Sequence, residues 1–343
     1  MGRTRYSSLG STLIAVGSLV VSSVIAQPGY AQSDFYAGKT VRLIVGASAG
    51  GGYDLYARTL APFISAHLPG KPTVIVQNMP GGGGLTSVLF LDASAPKDGT
   101  VVTTFNSGVL TDAFTSQDKA KVDLRTLGWL GSANRSFRFC YFWHASGIKT
   151  WDDLDRGKQA TMGAIGYNSG AYNDIALLKN LMNKNVRAIP GYPGRAEVHL
   201  SIERGELDGE CGSKEGIPEA WFRDRKMNIV VRMLREKSEE IPDDVPWVGE
   251  FLKEPEDFDV LRLLTAAMQI GRPYVVSRQV PSDRLALLQN AFAAAVQDQG
   301  FLEIAKKRGM DVSLVNGHSA QELVTKVLDA PRAVAERAKD IIK

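Results

Sequence analysis

Thiol and imidazole groups are scarce: the 343 residues include two cysteines and four histidines. Two cysteines exclude a disulfide-dense scaffold and a cysteine-rich zinc site, and no metal or cofactor is expected. An excess of one charge is also missing. Lys plus Arg number 40 against 37 Asp plus Glu, a net of +3. A nucleic-acid surface needs clustered excess cations, so no nucleic-acid partner is expected. Past residue 31 no apolar run reaches about 18 residues, which excludes a later spanning helix. Low-complexity tracts and short-period repeats are absent too. What remains is an ordinary globular composition, 44 % apolar and 22 % charged, long enough for two domains.

The most apolar stretch is Leu13 to Ile25. It is shorter than the roughly 20 residues that span a bilayer. Arg3 and Arg5 precede it, and small residues follow, with cleavage expected after Ala26 or Ala31. This order is that of a secretory signal peptide over residues 1–31, and it predicts a periplasmic mature chain. Loss of Arg3 and Arg5 leaves that chain at +1. Cys140 and Cys211 would then meet an oxidising compartment, where they could pair or stay as buried thiols.

Glycine is in excess, 34 residues against a typical share of about 7 %. Many of them follow expected strands. Val41–Val45 reads as a buried strand, followed by Gly46-Ala47-Ser48-Ala49-Gly50-Gly51-Gly52 and a helix from Tyr53 to about His67. A strand over 74–77 ends in Asn78-Met79-Pro80-Gly81-Gly82-Gly83-Gly84, and one over 100–105 ends in Asn106-Ser107-Gly108. A second series has strands over 139–144, 160–165, 186–189 and 206–211, with glycine loops at 166–170 and 190–194. Residues 235–260, charged and Pro-containing, read as a surface connection, and 281–343 as mostly helix. Alternating strands and helices predict an α/β chain with mainly parallel sheets flanked by helices. The expected division is lobe one over 32–135, lobe two over 136–265 and a return to lobe one over 266–343, with hinges near 105–136 and 260–275.

Three chemistries can use such loops. Gly46-Ala47-Ser48-Ala49-Gly50 fits the G-x-S-x-G elbow of serine hydrolases between a strand and a helix. That elbow normally comes later in the chain, and none of the histidines has a distinctive setting. Nucleotide binding would need G-x-G-x-x-G or G-x-x-x-x-G-K-[ST], and neither follows Val45. Plain anion binding needs only exposed backbone N–H groups and the positive end of a helix. The loops at 46–54, 78–84 and 166–170 all offer it.

The same segments resemble the extracytoplasmic solute receptors of the tripartite tricarboxylate transporter family, the TctC or Bug-type receptors. Val41-Arg42-Leu43-Ile44-Val45, Ala49-Gly50-Gly51-Gly52-Tyr53-Asp54 and Ala57-Arg58 are similar to that family's strand, P-G-G-x-x-D and A-R pattern. Gln77 to Gly84 resembles its E-N-x-P-G-A-G-G loop, and Ala95 to Thr100 its A-x-P-D-G-Y-T turn. Pro190 to Gly194, Arg204 to Gly209 and Pro281 to Asp311 resemble later segments, so the likeness covers nearly all of 39–330. Ala49 replaces a frequent Pro, Gln77 a frequent Glu, and the two cysteines are not general to the family.

The resemblance implies a two-lobe clamshell of the type II periplasmic-binding-protein fold. It implies a monomeric receptor, not an enzyme, that captures a mono-, di- or tricarboxylate and delivers it to membrane permease subunits. Carried over residue by residue, it points to Ser48, Gly51, Gly52, Asp54, Gly82 and Gly83 as ligand contacts, with Asn106 and Ser107. Lobe two would add Asn168, Ser169, Tyr192 and Ser213. Asp54 is awkward beside an anion, and a role in fixing the helix start suits it better. Arg135, Arg138 and Lys214 are the cations that could meet a distal carboxylate. The alternatives are an exported hydrolase using Ser48 and a receptor that feeds a signalling sensor.

Overall fold

The structure is a computed structural model that describes residues 1–4, 35–115, 122–155, 159–167, 169–215, 217–239 and 241–343. The expected leader, from Arg5 through its apolar run to Ala31, lies outside these. The described chain forms two sheets. The first holds β1 (Thr40–Val45), β2 (Thr73–Asn78), β3 (Val101–Thr104), β4 (Gly128–Ser132), β10 (Pro273–Val276) and β11 (Val315–Asn316), in the order β11-β4-β10-β3-β1-β2. The second holds β5 (Arg138–Trp143), β6 (Ala160–Ala164), β7 (Val186–Pro190), β8 (Gly209–Ser213) and β9 (Met227–Arg232), in the order β7-β6-β8-β5-β9.

β1 explains the layering of the first sheet. It is paired on both edges, and side chains alternate across a strand. Val41, Leu43 and Val45 enter one core, shared with helix α1 (Gly52–His67) and helix α8 (Ser282–Gln297). Ile44 enters the other, beside α2 (Leu85–Ala93) and α3 (Gly108–Thr115). Both faces are covered, so the strand is apolar throughout apart from Thr40 and Arg42. In the second sheet α4 (Gly170–Asn180) follows β6, and α5 (Arg195–Glu203) follows β7. Both sheets therefore place helix starts at the ends of parallel strands.

The sheets are mixed, where mainly parallel ones were expected. β1 runs parallel to β2 and β3, and β6 parallel to β7 and β8. The other pairings are antiparallel: β10 with β3 and β4, β11 with β4, and β5 with β8 and β9. A strand–helix–strand unit brings the chain back in the same direction and makes parallel pairs. β4, β5, β9 and β10 instead carry the chain between the sheets, at 133–137 and 233–272, and they run against their neighbours.

The charged segment 235–260 is less superficial than its composition suggests. α7 (Pro255–Thr265) begins in it, with Pro255 in the first turn where its missing N–H costs nothing. Val248, Val260 and Leu261 are buried, and α7 packs against the last helix, α11 (Arg332–Ile341). The strand expected at 206–211 lies at Gly209–Ser213, because 205–207 turn out of α5. That shift puts Cys211 directly opposite Cys140 in the β5–β8 register. Both are fully buried and joined as a disulfide, with Cα atoms 4.0 Å apart.

Candidate functional site

The ends of β1, β2 and β3 meet because glycine lets their loops touch. A Cβ on Gly46 would stand 2.5 Å from Ser87 Oγ and 2.8 Å from the Gly84 Cα. Gly84 adopts φ +101°, and a Cβ there would be 2.8 Å from Phe105 Cβ. A side chain at either position would push the three loops apart. Ser48, Gly51, Gly82, Asn106 and Ser107 therefore lie on neighbouring strand ends. Gly83 sits in the short 3-10 turn Gly82–Gly84.

Polar bonds lock this arrangement. Asp54 is 3 % exposed, and its carboxylate accepts from Gly50 N (2.8 Å), Arg58 Nε (2.9 Å) and Asn78 Nδ2 (2.9 Å). Asn78 also donates to Ala47 O at 3.0 Å and accepts from Arg58 Nη2 at 2.9 Å. Burial works to raise the Asp54 carboxyl, but the Arg58, Gly50 and Asn78 donors prevail and hold it below its ordinary value. Asp54 is thus a brace between the first two loops. It leaves the start of α1 open: the N-cap is Gly51, and no side chain caps the first turn. The positive end of the helix dipole faces outward between residues without side chains.

A cation and a carboxylate from elsewhere in the fold come to this helix start. A Cβ on Gly52 would be 3.0 Å from Arg272 Nη2 and 3.2 Å from Glu215 Oε1. Arg272 immediately precedes β10, and its guanidinium stacks 4.5 Å from the Tyr53 ring centre and 4.9 Å from that of Tyr56. Its Nη2 donates to Glu215 Oε2 at 2.8 Å. Glu215 follows β8, so this ion pair joins the two sheets across the space between their loops. Tyr53 Oη donates to Gly271 O (3.1 Å) and accepts from Ser107 N (3.2 Å), which fixes the ring under the guanidinium. Asp311 is close by: burial, then the Glu215 charge, push its carboxyl up, and Arg272 pulls the other way.

The other sheet offers β6, β7 and β8 ends. Ser169 is the N-cap of α4, accepting from Tyr172 N at 3.3 Å and donating to Gly166 O at 2.7 Å. Asn106 does similar work in the first sheet, accepting from Gly108 N at 2.8 Å. Tyr192 is half-buried against the apolar cluster around Trp221. The carbonyl of Ser213 accepts from Arg195 Nη1 at 2.8 Å. Asn168 lies outside the described residues. Beneath these loops Glu210 is buried with Arg195 (2.8 Å), Tyr141 Oη (2.7 Å) and His199 (3.0 Å).

No protein-family model matches the sequence. Over 71 residues the chain is 41 % identical to the UPF0065 protein in the gbd 5′ region of Cupriavidus necator, a match that spans 21 % of each protein. A TctC solute binding protein from Polaromonas superposes with a TM-score of 0.70 at 19 % identity, covering 90 % of this chain and 99 % of that one. The periplasmic binding protein BugD gives 0.66 at 18 % identity, covering 89 % and 98 %. MatC from Rhodopseudomonas palustris with bound malate gives 0.63 at 17 % identity, covering 89 % and 99 %. The chain has the TctC and Bug periplasmic-binding-protein fold.

In this TctC/Bug-type fold two of the three cations expected to meet a ligand, Arg138 and Lys214, are engaged elsewhere. Arg138 Nε donates to the buried Asp174 at 2.7 Å, and Lys214 Nζ lies 5.4 Å from the centre of the Phe222 ring. Arg135 bonds through its backbone N to Ser313 Oγ at 2.8 Å. Arg272 was not singled out in the sequence: Gly271-Arg272-Pro273 fits no motif, and only the fold brings it to Gly52. Nothing in the sequence marks Tyr53, at the expected helix start, or Asn78, in the second glycine loop, as fasteners. Each histidine also has another neighbour than Ser48. His67 meets Asp298 (2.8 Å), His199 meets Glu210, His318 meets Glu322 (3.4 Å), and the His144 ring packs 4.9 Å from that of Trp143.

Proposed function

We propose that this protein is a periplasmic solute receptor that captures a small carboxylate between its two sheets and presents it to membrane permease subunits. The observation that carries the reading is the uncapped first turn of α1, set among glycines at converging strand ends with Arg272 beside it. Backbone N–H groups and a helix dipole hold a carboxylate there without a side chain of their own. The whole-chain likeness to solute-binding proteins, one of them holding malate, supports the same class.

In this reading Ser48, Gly51, Gly52, Gly82 and Gly83 form the anion seat, with Asn106 and Ser107 at its margin. Asn168, Ser169, Tyr192 and Ser213 close over it from the second sheet. Asp54 supports the seat and does not touch the ligand. Ligand binding selects the closed form, so no bond is made or broken in the cycle. The chain acts as a monomer after its leader is removed near Ala26 or Ala31. Calorimetry of the mature protein against mono-, di- and tricarboxylates tests the class. Micromolar binding of one of them is expected, and no heat from any, together with no thermal shift, overturns it.

A further inference from the structure

We infer that Arg272 and Glu215 are the two halves of a seat that selects a zwitterion, a carboxylate bearing a cationic group. This rests on the receptor reading above and narrows its ligand. The two side chains already form the charge pattern that such a ligand completes. Arg272 Nη2 and Glu215 Oε2 are 2.8 Å apart, and both side chains lie within 3.2 Å of where a Cβ on Gly52 would stand. The Glu215 carboxylate comes close to the first residue of the uncapped helix, near where the ligand carboxylate is expected. It is itself a tethered carboxylate, supplied by the opposite sheet.

Arg272 is not satisfied by this pairing. Its Nη1 donates to Gly271 O at 3.2 Å, while its buried Nε has no hydrogen-bond partner. An entering carboxylate can therefore take Arg272 and the helix start together. Glu215 must then find another partner, because a carboxylate stripped of its cation in a partly buried site is costly. A cationic group on the ligand provides one, so a single ion pair is exchanged for two. A second carboxylate does the opposite. It meets the carboxylates of Glu215 and Asp311, which already repel one another there. Arg195 is paired with Glu210, Arg58 with Asp54, and Lys214 lies on the Phe222 ring.

The test is calorimetry of the mature full chain with matched probes of three, four and six carbons. These are β-alanine, propionate and malonate; 4-aminobutyrate, butyrate and succinate; and 6-aminohexanoate, hexanoate and adipate. In the size class that binds best, the zwitterion is expected to bind about tenfold tighter than the monoanion, with the dianion weakest. Glu215→Gln should reverse that order, weakening the zwitterion and tightening the monoanion. Glu215→Asp, which keeps the charge, should preserve it, so a loss of folding in one variant does not leave the claim open. A dianion that binds the natural chain best, or an order unchanged by Glu215→Gln, overturns the zwitterion seat and leaves the receptor standing. Absence of binding by all nine probes to every form of the chain overturns the zwitterion seat, and the receptor reading falls with it only if the wider panel of mono-, di- and tricarboxylates also gives no heat.

Discussion

The side-chain amide of Asn78 donates to the carboxylate of Asp54 at 2.9 Å, although 24 residues separate them. Asn78 closes β2 and Asp54 lies in the first turn of α1, so this bond joins the first two glycine loops. Because Asp54 also holds Gly50 N, one buried carboxylate sets the shape of the loop that precedes the helix.

Asp54→Ala strands the Gly50 N–H and the Asn78 amide. A loss of about 1 kcal/mol is expected in urea unfolding, since the donors are only partly buried and a hydrogen bond contributes a net of about 0.5–1.5 kcal/mol. Ligand affinity should fall as well. Arg58 is half-exposed, so Arg58→Ala should cost clearly less. Equal losses would show that Asp54 is not the brace.

Gly46→Ala tests the close approach of the strand ends. The new methyl meets the Gly84 backbone at 2.8 Å, and that backbone is held in turn by Phe105. Overpacking of this kind costs about 1–3 kcal/mol. Carboxylate binding should weaken together with stability. An alanine variant with unchanged unfolding and unchanged affinity would contradict the convergence described here.

The Cys140–Cys211 bond closes a separation of 71 residues. Restricting the unfolded chain over a loop of that size contributes about 4 kcal/mol. The double variant Cys140→Ala, Cys211→Ala should lose about that amount. A reductant should destabilise the natural chain under unfolding conditions and leave the double variant unaffected.

Glu210 gives a pH signature. Burial works to raise its carboxyl, but the Arg195 charge and the bonds from His199 and Tyr141 prevail and hold it below its ordinary 4.5. The unfolded chain then takes up the proton first as the solution is acidified. The stability contributed by ionised Glu210 is complete above about 4.5 and is lost as pH falls through the folded value. Asp174, raised by its burial, works in the other direction, so the informative quantity is the difference between chains. Glu210→Gln should be less stable than the natural chain at neutral pH, and the gap should narrow as the solution is acidified below 4.5. A constant gap would exclude the assignment.

Much of the local structure was legible in the sequence. Val41–Val45 is uniformly apolar except at Arg42, and such a run followed by glycines and an amphipathic helix specifies strand, loop and helix from nearest neighbours alone. Ser169 caps α4 as a short polar residue before a helix does, and Asn106 bonds the backbone two residues on, as Asn does in turns. The register of β8 was less legible, because Gly205 and Glu206 can continue a strand or turn out of α5. The choice between a disulfide and two thiols was not legible at all.

By itself, then, the sequence determined the kind of elements, their order and the glycine-lined ends of β1 and β2, because those depend on hydrophobic period and backbone freedom over a few residues. Tertiary structure alone decided that the sheets are mixed, that Cys211 faces Cys140, and that Arg272 meets Glu215 at Gly52. The last two residues are 57 apart and belong to loops of different sheets. Their meeting is set by how two packed layers are oriented by the chain segments passing between them, and no local pattern encodes that orientation.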